Sequence, residues 1–402
     1  MFNSEVIELL SAFNRAYIVG GSVRDALLGF PAKDLDIEVF NTSYEKLVEI
    51  ASKFGKVKTV GKMFGVVKLQ HPTLGEIDLS LPRRENRIGV GHRGFNVVSD
   101  SSLTLTEAAS RRDFTINAIM WGLDGLNDPF SGKLDLNEGI LRHVSSKFVE
   151  DPLRVLRGMQ FCSRFGLTGA PETVALCRSI ADRFQELSRD RVFTEWQKWA
   201  KGNHPSKGLV FLAQTGWDQH FPEINITTNT LTAVNKAAEV CKNNGVSGDT
   251  RIIQLLAVLF QDEHSARLFL NKINCPKLIA EKVVSLVVNR LTHCNSAITP
   301  ASVTRLAHKL APVTIQELAW HVEAINNGLP QDMQDILDIA RSLGLVNSKP
   351  EPILLGRHLV QRGLKPGKDF AQILDAAFQA QLDCAFMDLT GALDWLTKFL
   401  QS

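Results

Sequence analysis

The run Lys33-Asp34-Leu35-Asp36-Ile37-Glu38 alternates apolar and charged residues, the pattern of a half-buried strand. Side chains on a strand alternate faces, so Asp34 and Asp36 point the same way, about 7 Å apart. Two carboxylates so placed repel each other. A divalent cation resolves the repulsion, and Mg²⁺ typically binds through one or two carboxylates plus substrate phosphates. Just upstream, Gly20-Gly21 stands where the apolar run Ala16 to Val19 turns into a short helix that Ser22 can cap. Glycines there let backbone N–H groups approach an anion, and a helix N-terminus favours negative charge. Arg24, on the first turn, can clamp a phosphate bidentately. Jointly these residues predict a metal–triphosphate site at Gly21, Arg24, Asp34 and Asp36. Asp78, at the end of a later strand-like run, can help hold metal or accept a proton from an attacking hydroxyl. Taken singly, each feature also fits a plainer role: a Gly-Gly turn, a solvated strand edge, a strand-end carboxylate.

Two further groups follow. Arg111-Arg112-Asp113 is a charged cluster that suits either phosphate binding or a surface ion-pair network. Glu150-Asp151-x-x-Arg154 opens a helix, with Asp151 and Arg154 three residues apart on one face. Aspartate accepts hydrogen bonds and arginine only donates. Cytosine and adenine both present an amino donor beside a ring-nitrogen acceptor, whereas guanine and uracil present a carbonyl acceptor beside an N–H donor. A fixed Asp/Arg pair therefore reads C and A and rejects G and U. The same spacing also suits an i,i+3 ion pair worth about 0.2–0.5 kcal/mol.

These residues need a scaffold that holds a strand, a turn and a helix N-terminus together. Residues 1 to about 145 read as mixed α/β: a helix at 6–13, a strand at 35–40, a helix from Ser43 to Phe54, and strand-like runs at 57–60, 65–70 and 76–81. Residues 82–95, with Arg83, Arg84, Glu85, Arg87, His92 and Arg93, read as a mobile loop. From Phe148 the pattern is helical, with helices predicted at 151–165, 172–187, 191–201, 230–243, 249–261, 276–291, 301–310, 314–326, 331–343, 368–382 and 386–400. The chain has 402 residues, 44% of them apolar and 22% charged, the composition of an ordinary globular protein. Its 45 basic and 43 acidic residues leave a formal charge of +2, so any nucleic-acid surface must be local. The six cysteines are scattered, which excludes a Cys-rich zinc site and fits a reducing compartment. Neither a secretory signal nor a membrane span is expected, and the cytoplasm is the expected location.

GGSVRDALLGFPAKDLDIEVF (20–40) resembles the G-G-x-V-R-D…D-x-D signature of the class II tRNA nucleotidyltransferase/poly(A) polymerase family. RRDFTINAIMW (111–121) and EDPLRVLRGMQFCSRFG (150–166) resemble its second motif and its nucleotide-recognition motif. SRDRVFTEWQKW (188–199) resembles the following motif, in which an Arg and a Glu brace the recognition helix. LLGRHLVQRGLKPGKDF…AQLD (354–383) resembles a tail segment of the family.

The resemblance implies an α+β protein. A small mixed-sheet nucleotidyltransferase head of polymerase-β type (1–145) would precede an all-α neck (146–225), and then an all-α body and tail (226–402). It implies template-independent addition of CCA to tRNA 3′ ends from CTP and ATP, with Mg²⁺ and no membrane partner; a monomer is assumed. Asp34 and Asp36 would hold metal. Gly21 and Arg24 would contact triphosphate; Arg112, Asp113 and Asn117 would surround the nucleotide; Asp151 and Arg154 would read its base, and Arg157 would join the phosphate clamp. Gln160 stands where relatives often carry another Arg. Gln261-Asp262 stands where many bacterial relatives carry the His-Asp of a phosphohydrolase, so that activity is not expected. The loop at 82–95 favours full CCA addition over CC-only addition. A poly(A) polymerase, a partial CC- or A-adding enzyme and an inactive RNA-binding module are the competing readings. Phosphates of tRNA are expected along Lys198, Lys201, Lys207, Arg357, Arg362, Lys365 and Lys368.

Overall fold

The computed structural model describes residues 2–30, 35–59, 65–87, 95–291 and 297–401, with 85–87, 95–97 and 368 described by their backbone alone. The chain divides into two compact units, Met1–His220 and Phe221–Ser402.

The first unit is built on a seven-stranded sheet. Its strands are β1 (Ala16–Val19), β2 (Leu35–Val39), β3 (Lys56–Thr59), β4 (Val66–His71), β5 (Gly75–Ser80), β8 (Met120–Gly122) and β9 (Gly125–Asn127), in the order β3-β4-β5-β2-β1-β8-β9. Within this sheet, among the described residues, only β2 and β5 pair in parallel. Residues Arg83–Arg87 (β6) and Phe95–Ser99 (β7) pair with each other as an antiparallel ribbon. The sequence was expected to form a loop over 82–95; its arginines and glycines mask the strand pattern, and residues 88–94 lie outside the described residues.

Alternation decides the two faces of the sheet. Leu35, Ile37, Val39, Val67, Leu69, Ile77 and Leu79 point to one side and form a core with helices α1 (Ser4–Ser11) and α3 (Tyr44–Ala51). Each helix is started by a side-chain cap: Asn3 accepts from the Val6 N–H and Ser43 from the Lys46 N–H. On the other side, Tyr17, Val19 and Met120 are covered by α4 (Leu105–Ala109), itself started by a Thr104–Glu107 capping box. The β2–β5–β4–β3 part of this second side carries Asp36, Glu38, Asp78, Lys68 and Lys58.

Helix α2 (Gly21–Leu27) follows β1, and α5 (Gly132–Glu138) precedes the helical part of the unit. There α6 (Leu153–Phe165) packs on α8 (Arg189–Ala200) and α9 (Pro205–Gln214), and Arg178 of α7 (Pro171–Ser179) donates to the Gln214 carbonyl at the end of α9. Gly158 lets α6 approach α9 closely: a Cβ there would lie 2.7 Å from the Phe211 ring. The helix expected over 172–187 is interrupted, α7 giving way to a 3₁₀ segment at Ala181–Glu186.

The second unit is helical, from Thr228–Asn243 to Leu389–Phe399. Glu263–Lys272 is a helix that the sequence reading passed over, although Asp262 caps it by accepting from the Ser265 N–H. Among the described residues no helix is long and apolar enough to cross a membrane.

Candidate active site

Gly20 ends β1 with φ +71°, a left-handed conformation that favours glycine. A Cβ on it would lie 3.0 Å from Nη1 of Arg112 and 3.8 Å from Oδ2 of Asp36. Turn, carboxylate and guanidinium thus converge on one point. Asp36 is exposed and lines a cavity of about 660 Å³ with Gly21, Arg24, Phe165 and Lys201. Directly opposite Asp36, on the neighbouring parallel strand, stands Asp78. Register partners share a face, and adjacent strands lie about 4.8 Å apart, so one cation can reach both carboxylates. Lys68 stands 3.3 Å from Asp78 and also pairs with Glu76. Hard oxygen donors on an exposed face fit a divalent cation. Asp34 lies outside the described residues, and among those described no cluster of three or more His, Cys, Asp or Glu forms a metal site.

Glu38 was not anticipated, yet the alternation that pairs Asp34 with Asp36 puts it next on the same face. It is 1% exposed, and one carboxylate oxygen accepts from Nη2 of Arg112 at 3.1 Å and from Nη2 of Arg111. Burial lowers the Arg112 pKa from its ordinary value, against the pull of Glu38.

Arg24 is buried. It donates to Asn117 Oδ1 and Asp25 Oδ1, and its guanidinium lies 4.4 Å over the Phe165 ring. Burial lowers its pKa, opposed by Asp25. Asn117 in turn donates to Asp113 Oδ1 at 2.9 Å, and Arg157 donates to Asp113 Oδ2 at 2.7 Å. Burial pushes the Asp113 carboxyl up, but Arg157 and Asn117 prevail and hold it below the ordinary carboxylate range. Arg24, Asn117, Asp113 and Arg157 therefore form one relay from α2 to α6.

Beyond the relay lies a cavity of about 280 Å³, lined by six arginines (83, 111, 112, 154, 157 and 191), Asp113, Asp151 and Leu153. Asp151 and Arg154 both face it. The ion-pair partner of Asp151 is Arg191, at 2.8 Å, and not Arg154; its other oxygen accepts from the Leu153 N–H. Arg154 donates to the carbonyls of Lys147 (2.9 Å) and Arg111 (2.7 Å), which uses two of its five N–H groups. Arg183, another residue the sequence reading did not single out, donates to the carbonyl of Val149, just ahead of Asp151. Side chains held by third parties in this way keep their geometry before a ligand arrives.

Of the lysines expected to meet RNA, Lys198 pairs with Glu195 at 2.8 Å and Lys207 bonds the Gly166 carbonyl, while Lys201 borders the larger cavity. Arg357, Arg362 and Lys365 are exposed in the second unit; the side chain of Lys368 lies outside the described residues. Arg83 lines the arginine cavity and Arg84 bonds Asp100 at 2.8 Å. The side chains of Glu85 and Arg87, and all of His92 and Arg93, lie outside the described residues.

Residues 16–142 match the poly A polymerase head domain family, and residues 166–238 match the probable RNA and SrmB-binding site of polymerase A. The chain is 42% identical over 206 residues to a multifunctional CCA protein of Chromobacterium violaceum, covering 50% of this chain and 48% of that protein. It is 37% identical over 247 residues to that of Nitrosospira multiformis, covering 56% and 57%. The chain spans about half the length of the curated relatives it matches. Among solved structures, a CCA-adding enzyme in apo form II superposes with a TM-score of 0.74 at 23% identity, covering 99% of this chain and 96% of that one. The Thermotoga maritima CCA-adding enzyme complexed with tRNA superposes at 0.67 and 24%, covering 96% and 91%. At these identities the superpositions show a common fold.

Proposed function

For a chain that belongs to the class II tRNA nucleotidyltransferase/poly(A) polymerase family, we propose template-independent addition of CCA to the 3′ end of tRNA, from CTP and ATP, in the cytoplasm. The observation that carries this reading is the arginine cavity in which Asp151 and Arg154 stand side by side, each fixed by another group. It suits the one base-edge pattern that C and A share.

In nucleotidyl transfer the RNA 3′-oxygen attacks the α-phosphorus and pyrophosphate leaves. The reaction asks for in-line positioning and charge neutralisation more than for covalent help. Asp36, with Asp34 and Asp78, would hold Mg²⁺, which when bound neutralises phosphate charge and activates the hydroxyl. The exposed backbone at Gly20-Gly21 admits the triphosphate next to Asp36. Arg112, steered by Glu38, reaches both this corner and the arginine cavity. Arg24 contributes from the wall, since its guanidinium is already engaged with Asn117 and Asp25. Asp151 accepts from the exocyclic amino group of C or A, and Arg154 donates to the ring nitrogen. Asp113 and Asn117 set the spacing between the phosphate corner and the base.

The test is to incubate tRNA lacking CCA with each labelled nucleotide and Mg²⁺. Addition of C, C and then A, stopping after three residues, is the expected result. Extension with A alone would assign a poly(A) or A-adding activity instead, and no incorporation would overturn the enzymatic reading.

A further inference from the structure

The side of the sheet that carries Asp36 continues past the carboxylates, and nothing in the proposed reaction uses that continuation. Strand register lines up Lys58, Lys68, Asp78 and Asp36 across four neighbouring strands. A second row runs parallel to it: Lys56, Gln70 and Glu76. Lys68 is engaged with Glu76 and Asp78. Lys56 and Lys58 are exposed, and Lys58 lends its charge to Glu76 on the same face. The helices α1 and α3 pack on the opposite side of these strands.

Strand order gives this surface a direction. Strands β1 and β5 flank β2 on opposite sides. The Gly20-Gly21 turn, where the proposed function seats the triphosphate, follows β1. In-line transfer puts the attacking and leaving oxygens on opposite sides of the α-phosphorus. The hydroxyl must then arrive from the β5 side, past Asp78. Behind it lies the surface of β4 and β3, whose outer strand is about 14 Å from β2, three strand spacings of about 4.8 Å.

We propose that the RNA strand bearing the reactive 3′-hydroxyl lies along the side of β5, β4 and β3 opposite α1 and α3, with Lys56 and Lys58 binding its phosphates. This inference rests on the nucleotidyl-transfer reading above. The anion bound here is a polynucleotide backbone, since pyrophosphate departs on the β1 side. The surface lies outside the lysines and arginines that the sequence pointed to for RNA.

The test uses the full chain carrying Lys56→Gln and Lys58→Gln together. Both residues are solvent-exposed, so folding is expected to be unaffected. Binding to tRNA lacking CCA, measured without nucleotide over a series of salt concentrations, is expected to lose about one unit of log–log slope per lysine. The KM for tRNA is expected to rise about tenfold, while the KM for CTP stays at the parental value. A slope and a tRNA KM equal to those of the parent would overturn the proposal. So would a raised KM for CTP with unchanged tRNA binding, which would assign the lysines to the leaving pyrophosphate. If the parent itself adds no nucleotide, the transferase reading fails, while the salt slope still decides whether these lysines bind RNA.

Discussion

The strand face that carries Asp36 and the arginine cavity present opposite electrostatic problems. On the strands, register brings Asp36 and Asp78 face to face, and carboxylates gathered this way call for a cation. At the arginine cavity, six arginines face two aspartates, and the surplus calls for an anion. The means of holding the groups differ as well. The carboxylates sit on strands, where backbone pairing fixes their positions. The arginines are long and flexible, and they are held by acceptors around them: the buried Glu38 and Asp113, the half-buried Asp151, and main-chain carbonyls. A chelating site can thus be set by register alone, whereas a phosphate- and base-reading site needs a second set of residues behind the first.

The sharpest way to break this contrast is Asp36→Ala. Losing a metal ligand removes several kcal/mol of transition-state stabilisation, so incorporation of C and of A should fall together by at least about 10³-fold. Affinity for tRNA, measured separately, should hold. If either nucleotide is still added at near the parental rate, the carboxylate side is not the metal site.

Asp151→Ala probes the arginine cavity, where the effect should fall on selectivity. A lost base contact is worth about 1–3 kcal/mol, so preference for C and A over G and U should weaken about 5- to 150-fold in four-nucleotide incorporation assays. Arg191→Ala, which leaves the carboxylate in place but removes its brace, should produce a smaller loss of the same kind. Unchanged exclusion of G and U in both variants would make Asp151 a purely structural residue.

Acid separates the two units. His321, in the second unit, is fully buried, and neither ring nitrogen has a hydrogen-bond partner among the described residues. Burial, aided by the charge of Arg290, pushes its pKa down to about 3. Because the folded value lies below the ordinary 6.5, the unfolded chain takes up the proton first. This stability is complete above pH 6.5 and declines by up to about 1.4 kcal/mol per pH unit as the pH falls towards 3. In the first unit burial also lowers His143 and His204, by less than His321, and Asp113 has its pKa held below the ordinary carboxylate value, so its contribution persists until the pH falls below that value. Between pH 6 and 4 the second unit should therefore lose hydrogen-exchange protection first. In His321→Gln that pH slope should flatten. A first unit that opens earlier would reverse the assignment.

Much of this was legible in the residue order. Strands β3, β4 and β5 fall within a residue or two of the runs expected from alternation, and α6 begins two residues inside its expected start. The Gly-Gly turn and Arg111-Arg112-Asp113 announced themselves by residue type. What stayed hidden was pairing between distant segments. Asp78 was a lone strand-end carboxylate until the parallel β2–β5 register set it against Asp36. Asp113 and Asn117, which the resemblance sets around the nucleotide, also tie Arg24 to Arg157, a link that residue order does not display. Glu38 could have been found, since it continues the same two-residue period. Arg183 could not, because its role depends on where a 3₁₀ segment falls against residue 149.

Gly20 also bears on how the gene can drift. A side chain there would meet an unfavourable left-handed backbone and, at 3.0 Å, the guanidinium of Arg112. A glycine codon reaches Ala, Val, Asp, Glu, Arg, Ser, Cys or Trp by a single base change, and none of these side chains is at ease at φ +71° and ψ −137°. Every first step away from Gly20 thus adds a Cβ beside the Asp36 carboxylate, and the position is closed to neutral wandering from both directions: by a backbone that suits glycine on one side and by the crowding of Arg112 and Asp36 on the other.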